Sequence, residues 1–255
     1  MRVRLAVRTL SEICLTLGAL IVLFVVYLLY WTGVRADRAM DAEIDRLQDR
    51  WSSGAVPSGD TGADGAGSQT AGSTGTGGTD RAGGAGRAGP PAPGARTPSG
   101  ESFAIMYIPR FGSGWAKPVL QGVGRSTLQR GLGHYPRTAG LGEPGNFAVA
   151  GHRRTYGDPF KDFPRLRRGD RVVLTDGTTW YTYRVDARPY RTLPSDTAVI
   201  DPIPAKSGYR TPGRYLTLTT CDPEWGHSHR LIAWAHLERT AATSPDGVAG
   251  GPRRG

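Results

Sequence analysis

The chain has 255 residues and carries 32 Lys plus Arg against 22 Asp plus Glu, a formal excess of +10. Hydrophobic residues make up 38%, and the 37 glycines and 19 prolines are unevenly spread, which excludes one uniform globular fold over the whole length. Two cysteines exclude a disulfide scaffold and a four-cysteine zinc module; with only three lysines among the 32 basic residues, the arginine excess reads as genome composition and not as nucleic-acid recognition.

Residues 13–31 contain no charge and no proline. As a helix rising about 1.5 Å per residue they match a hydrocarbon core of roughly 30 Å. Arg2, Arg4 and Arg8 precede this run, so residues 1–12 are expected in the cytoplasm and everything after Trp31 outside, on a single-pass anchor. The run is longer than the apolar region of a cleaved signal peptide and has no small-residue cleavage site behind it. Over residues 32–51, Met40, Ile44, Leu47 and Trp51 recur at helical spacing among alternating acids and arginines. That is an amphipathic juxtamembrane helix, either a solvated stalk or a surface that pairs with another copy.

Residues 52–100 are almost entirely Gly, Ala, Ser, Thr and Pro with no aromatic side chain, so they are expected to be a disordered tether. As a flexible coil their reach is roughly 35–42 Å. Residues 240–255 are likewise expected to be a disordered tail. Residues 101–239, with 20 basic and 12 acidic side chains, have the length of one domain. This basic excess suits either an anionic wall polymer or lipid headgroups, or is simply an arginine-rich surface. Strands are predicted at 103–108, 146–150, 171–175, 180–188, 215–220 and 230–237, with a hairpin turn at Asp176-Gly177. Short helices are predicted at 126–131 and 159–166. Many strands separated by turn signals favour an antiparallel barrel or sandwich.

With Cys14 inside the apolar run, Cys221 is left as a lone exported thiol. Along Tyr215-Leu216-Thr217-Leu218-Thr219-Thr220-Cys221 the leucines share one face, and Cys221 lies on the other with Thr217 and Thr219. Periodicity leaves open both a buried inert thiol and a reactive one. A thiolate needs a positive neighbour, and Arg230 begins the next predicted strand. It reads as a charge partner or oxyanion donor, or as a salt-bridge partner of Asp222 or Glu224, but not as a base. A general acid is still required. His152 follows a predicted buried strand and opens a turn-rich loop, as an active-site rim residue does. His227 and His229 are rivals, yet the spacing C-x5-H-x-H matches no common zinc pattern. His134 and His236 read as loop and strand residues.

Thr217-Leu218-Thr219-Thr220-Cys221, Arg230 and Ala150-Gly151-His152-Arg153 together resemble the sortase family of cell-wall transpeptidases. Gly133-His134-Tyr135-Pro136, Gly142-Glu143-Pro144-Gly145-Asn146 and Gly151-His152-Arg153-Arg154-Thr155-Tyr156-Gly157 look like the class E sortases of high-GC Gram-positive bacteria. The resemblance implies a mainly β fold, a closed eight-stranded barrel with short helices. It implies Cys221 as nucleophile, His152 as general acid/base and Arg230 as stabiliser of the thiolate or oxyanion, with Thr220, Tyr156 and Tyr135 touching substrate. It further implies cleavage of exported proteins between Thr and Gly of a C-terminal Leu-Ala/Pro-x-Thr-Gly signal, through a thioacyl enzyme that a peptidoglycan-precursor amine resolves. A bell-shaped pH profile follows from a thiolate–imidazolium pair. Unlike class A members, which bind calcium through an acidic cluster, the chain shows no matching carboxylates, so neither metal nor cofactor is expected. The rival readings are a non-catalytic wall-binding barrel and a pilin-polymerising sortase.

Overall fold

Alternation of apolar and polar side chains shapes the strands of the computed structural model, which describes residues 2–53 and 97–243. In chain order the strands are β1 (Ser102–Tyr107), β2 (Ala116–Gln121), β3 (Leu132–His134), β4 (Gly145–Ala150), β5 (Arg171–Thr175), β6 (Thr179–Val185), β7 (Tyr190–Thr192), β8 (Arg214–Asp222) and β9 (His229–Ala242). Their spatial order is β6-β5-β1-β2-β3-β4-β8-β9, and β6 pairs again with β9. Eight strands therefore close into a barrel, as expected for a mainly β chain. Closure removes the sheet edges that would otherwise invite pairing with another chain.

The length of β9 explains the ninth strand. Ala235 to Ala242 pair with β6, while Arg230 to Ile232, further toward the start of β9, pair with β7 along the same edge. The β6 pairing also carries β9 to Ala242, past the boundary expected at Arg239. The barrel interior is packed with Phe147, Val149, Leu216, Leu218, Leu231 and Ala233 among others, closed off by Phe160 and Phe163.

Three strands escape sequence reading. β2 contains Pro118, and β3 and β7 are only three residues long, so none shows a periodic run. His134 lies on β3, buried between Phe103 and Phe147, and is not a loop residue. The helix expected at 126–131 is a single turn, α2 (Arg125–Leu128). At 159–166 only a 3-10 turn forms, over Phe163–Arg165, where Pro164 removes a backbone donor. The β5–β6 hairpin turns as expected at Gly177, which has φ +90°, while Asp176 Oδ1 accepts from the Thr178 and Thr179 amides at 2.9 and 2.8 Å.

α1 (Arg2–Ser53) is one continuous helix through both N-terminal segments. Ile13, Leu17, Ile21 and Phe24 are exposed. Side chains at 26 and 28–33 lie outside the described set. The membrane span expected at 13–31 is not seen: among the described residues no helix is long and apolar enough to cross a membrane. The apolar face of the C-terminal third of α1 is turned to the barrel and not to solvent. Ile44 and Leu47 pack on Ile105 of β1, with Trp51, Tyr107 and Ala116 around them. The tether expected at 52–100 and the tail expected at 240–255 fall mostly outside the described residues, except that Ser52 and Ser53 are helical and 240–242 are strand.

Candidate active site

β4, β8 and β9 lie side by side, and their register aligns three outward-facing rows. Ala148, Thr217 and Trp234 form the first, and Ala150, Thr219 and Ile232 the second. Cys221 pairs directly with Arg230. Two further residues along the parallel β4–β8 register bring His152 level with Cys221, and the Gly151 amide still donates to Thr219 O at 3.1 Å. Cys221 and Arg230 thus continue the rows on β8 and β9, and His152 lies just past the end of β4 on the β8 side, where the register would place it level with Cys221. The hydrophobic alternation that buries Leu216 and Leu218 turns Cys221 to this outer face.

The chain leaves β4 at Gly151, where a β-carbon would stand 2.6 Å from Phe160 and 2.7 Å from Leu132, so only glycine fits. Thr220 faces inward and its Oγ1 donates to the Gly151 carbonyl at 2.8 Å, fixing the backbone that presents His152. The His152 imidazole is half-buried, and Nε2 is shielded with no hydrogen-bond partner among the described residues. Burial pushes its pKa below the ordinary histidine value, opposed by the nearby Asp158 carboxylate. His134 is different, since both of its ring nitrogens are engaged, by Gln121 and by Ala139 O.

After His152 the loop holds three non-glycine residues at positive φ, Thr155 (80°), Tyr156 (52°) and Asp158 (46°). Such conformations cost on the order of 1 kcal/mol or more each and persist only where the surroundings enforce them. Arg154 ion-pairs with Glu224 and lies 4.7 Å over the Trp225 ring, tying this loop to the β8–β9 connection. Tyr156 stands 5.2 Å from the His152 ring, and its hydroxyl accepts from Gln129 Nε2 at 3.0 Å. Arg125 and Gln129 lower its pKa.

Sequence reasoning missed Asp222 as an organising group. It ion-pairs with Arg153 and, at 2.6 Å, with Arg191 Nε of β7. Burial would raise the carboxyl pKa, but the two guanidinium groups hold it below the usual value. The only hint in the sequence was an acid beside Cys221, because β7 itself carried no signal. Arg230 Nη1 donates to His227 O and His229 O at 3.0 Å each, and among the described residues its Nε and Nη2 are left for other acceptors. His229 pairs with Asp222, so it faces the opposite side of the sheet from Cys221, and the register separates these two candidate zinc ligands. Among the described residues no group of three His, Cys, Asp or Glu side chains is arranged to hold a metal.

The first two rows are buried, with Val199 packed on Ile232 and Trp234. Trp234 Nε1 and Thr217 Oγ1 both donate to Val199 O, at 3.1 and 3.4 Å, and Asn146 Nδ2 donates to Asp201 O at 2.9 Å. These bonds fasten the 197–201 turn over the two rows. The Tyr135 hydroxyl lies 3.2 Å from Thr219 Oγ1. Of the residues expected to touch substrate, Tyr135 lies beside Thr219, Tyr156 beside His152, and Thr220 on the inner face.

A family profile described as Sortase domain matches residues 106–238. The chain is also 32% identical over 247 residues to sortase SrtE2 of Streptomyces coelicolor, covering 94% of this chain and 85% of that protein. The chain belongs to the sortase family. Sortase SrtE1 of the same organism is 33% identical over 91% of this chain, which spans 57% of that relative's length. Among solved structures, sortase E from Streptomyces avermitilis is 63% identical with a TM-score of 0.56, covering 61% of this chain and 97% of that one. Sortase E1 from Streptomyces coelicolor, solved with a tripeptide in its active site, is 35% identical with a TM-score of 0.55 over 61% of this chain and 98% of its own. The sortases are cysteine transpeptidases, and these relatives are of class E, as the sequence resemblance implies.

Proposed function

We propose that this sortase is a membrane-anchored transpeptidase that cleaves a C-terminal Leu-Ala/Pro-x-Thr-Gly signal of exported proteins between Thr and Gly and joins the new Thr carboxyl to a peptidoglycan-precursor amine. The observation that carries this reading is Cys221 set directly opposite Arg230 across β8 and β9, with His152 two residues past the end of the neighbouring β4. The tripeptide in the active site of Streptomyces coelicolor sortase E1 supports a peptide occupant beside these residues.

The Cys221 thiolate attacks the Thr carbonyl carbon, and Arg230 donates to the oxygen as negative charge develops on it. The C–N bond breaks as the His152 imidazolium gives its proton to the departing glycine amine, leaving a thioester and a neutral imidazole. The acceptor amine then attacks the thioester and returns a proton to His152, and the thiolate leaves. Desolvation of His152 favours the neutral ring, so it gives up its proton readily once the leaving nitrogen demands it.

Anchoring is supported by the uncharged run at 13–31 and by the exposure of its described apolar side chains, with residues 1–12 cytoplasmic and the barrel outside. Incubating the full chain in detergent with a Leu-Ala-x-Thr-Gly peptide and a glycine amine tests the reaction. Mass spectrometry is expected to find threonine joined to the added amine, and none with Cys221→Ala. An active Cys221→Ala enzyme would overturn the assignment.

A further inference from the structure

The C-terminal third of α1 touches the loop that carries His152. Gly157 has φ +78°, and a β-carbon there would stand 2.7 Å from Asp37 Oδ1 and 3.2 Å from Met40 Cε, so side chains of the helix lie directly against the loop backbone. A second route passes through α2: Arg130 donates to Glu43 Oε2 of α1 at 3.0 Å, while the adjacent Gln129 holds the Tyr156 hydroxyl beside His152.

The helix is seated firmly. Met40 and Leu47 are fully buried, and Trp51 lies over Gly177 of the β5–β6 turn. Polar contacts fix its register on β1 and β2: Ser102 Oγ donates to Glu43 Oε1 at 2.5 Å, Arg50 pairs with Glu101 at 2.9 Å, and Lys117 pairs with Asp37 at 2.8 Å. None of these side chains takes part in acyl transfer.

We propose that residues 37–51 are a positioning element for the reaction: docked on the barrel, they brace Gly157 and Tyr156 and thereby hold His152 in line with Cys221. This rests on the transpeptidase reading above. The strained Thr155-Tyr156-Gly157-Asp158 stretch needs such a brace, because its backbone conformation is kept only by what packs against it. The same contact couples the membrane-proximal helix to the active site, so the seating of the anchor helix sets the competence of the barrel.

The test compares the full chain in detergent with Leu47→Asp, which undocks the helix, and with Leu47→Met as the volume-conserving control. Leu47→Ala replaces Leu47→Asp should the latter not fold. Hydrogen exchange at 153–158 is expected to accelerate at least about tenfold in Leu47→Asp while β4 and β8 amides stay protected. Turnover with the sorting peptide is expected to fall about tenfold or more in kcat with KM little changed, and Leu47→Met is expected to behave as wild type. Unchanged exchange at 153–158 would overturn the proposal, as would faster exchange with undiminished kcat. Absence of wild-type turnover would instead sink the transpeptidase reading, and the exchange at 153–158 would then decide alone whether the helix braces the loop.

Discussion

At the scale of single residues, the site divides its labour by burial. Cys221 and Arg230 are partly exposed at strand ends, whereas His152 is half-buried with a shielded Nε2, and that shielding determines its titration. A histidine whose neutral form is favoured binds its proton only below the unperturbed value of about 6.5. The active species is the singly protonated Cys221–His152 pair, of which thiolate–imidazolium is a fixed fraction, so the acid limb of kcat/KM, where the pair takes up a second proton, is expected below pH 6.5. A pH-rate series from 4.5 to 9.5 checks this, and an acid limb at or above 7 would contradict a desolvated imidazole. Thr220 has a structural task. In Thr220→Val the buried Gly151 carbonyl loses its donor, at a cost of about 1–2 kcal/mol, and kcat should fall because Gly151 presents His152. Thermal unfolding and steady-state kinetics read the two effects separately.

At the scale of elements, one carboxylate fastens three of them. Asp222 at the end of β8 binds Arg153 from the β4 exit and Arg191 from β7. Because its folded pKa is depressed, its stabilising contribution is complete above the unfolded value of about 3.8 and is lost as pH falls through the folded one. Asp222→Asn should lower the melting temperature at pH 7 and flatten its decline between pH 5 and 2. A decline as steep as that of wild type would show that the carboxylate carries no such load. Much of this architecture was legible in the sequence where periodicity was long. β5 stands at its predicted residues, and β1, β4, β6, β8 and β9 overlap theirs, since alternating Val, Leu, Thr and aromatic side chains mark two-faced strands. β2, β3 and β7 were illegible because a proline or a three-residue length leaves no period to read. Of the site, the placement of Cys221 on the less apolar face followed from alternation alone. The Asp222 clamp did not, because it depends on an arginine contributed by an invisible strand.

At the scale of the whole molecule, the N-terminal helix changes how the barrel is held. Arg50 near the end of α1 binds Glu101 just before β1, so the end of the helix is held to the start of the barrel. Burial of Met40 and Leu47 contributes about 1.5–3 kcal/mol each to the docked state, before any ion pair is counted. Glu43 reinforces the docked state. Its burial alone would raise the carboxyl pKa, yet Ser102 and Arg130 hold it low, so docking should weaken as the pH falls below the ordinary glutamate value of about 4.3.

Covalent chemistry at Cys221 is the step on which the transpeptidase reading depends. The most direct measurement traps the full chain with a Leu-Ala-x-Thr-Gly peptide at low pH, without acceptor amine, and maps the adduct by peptide mass spectrometry. The expected result is an acyl group ending in threonine on Cys221, discharged when a glycine amine is added and missing in Cys221→Ala. Bound peptide with no adduct at Cys221, or an adduct that survives the amine, would contradict it.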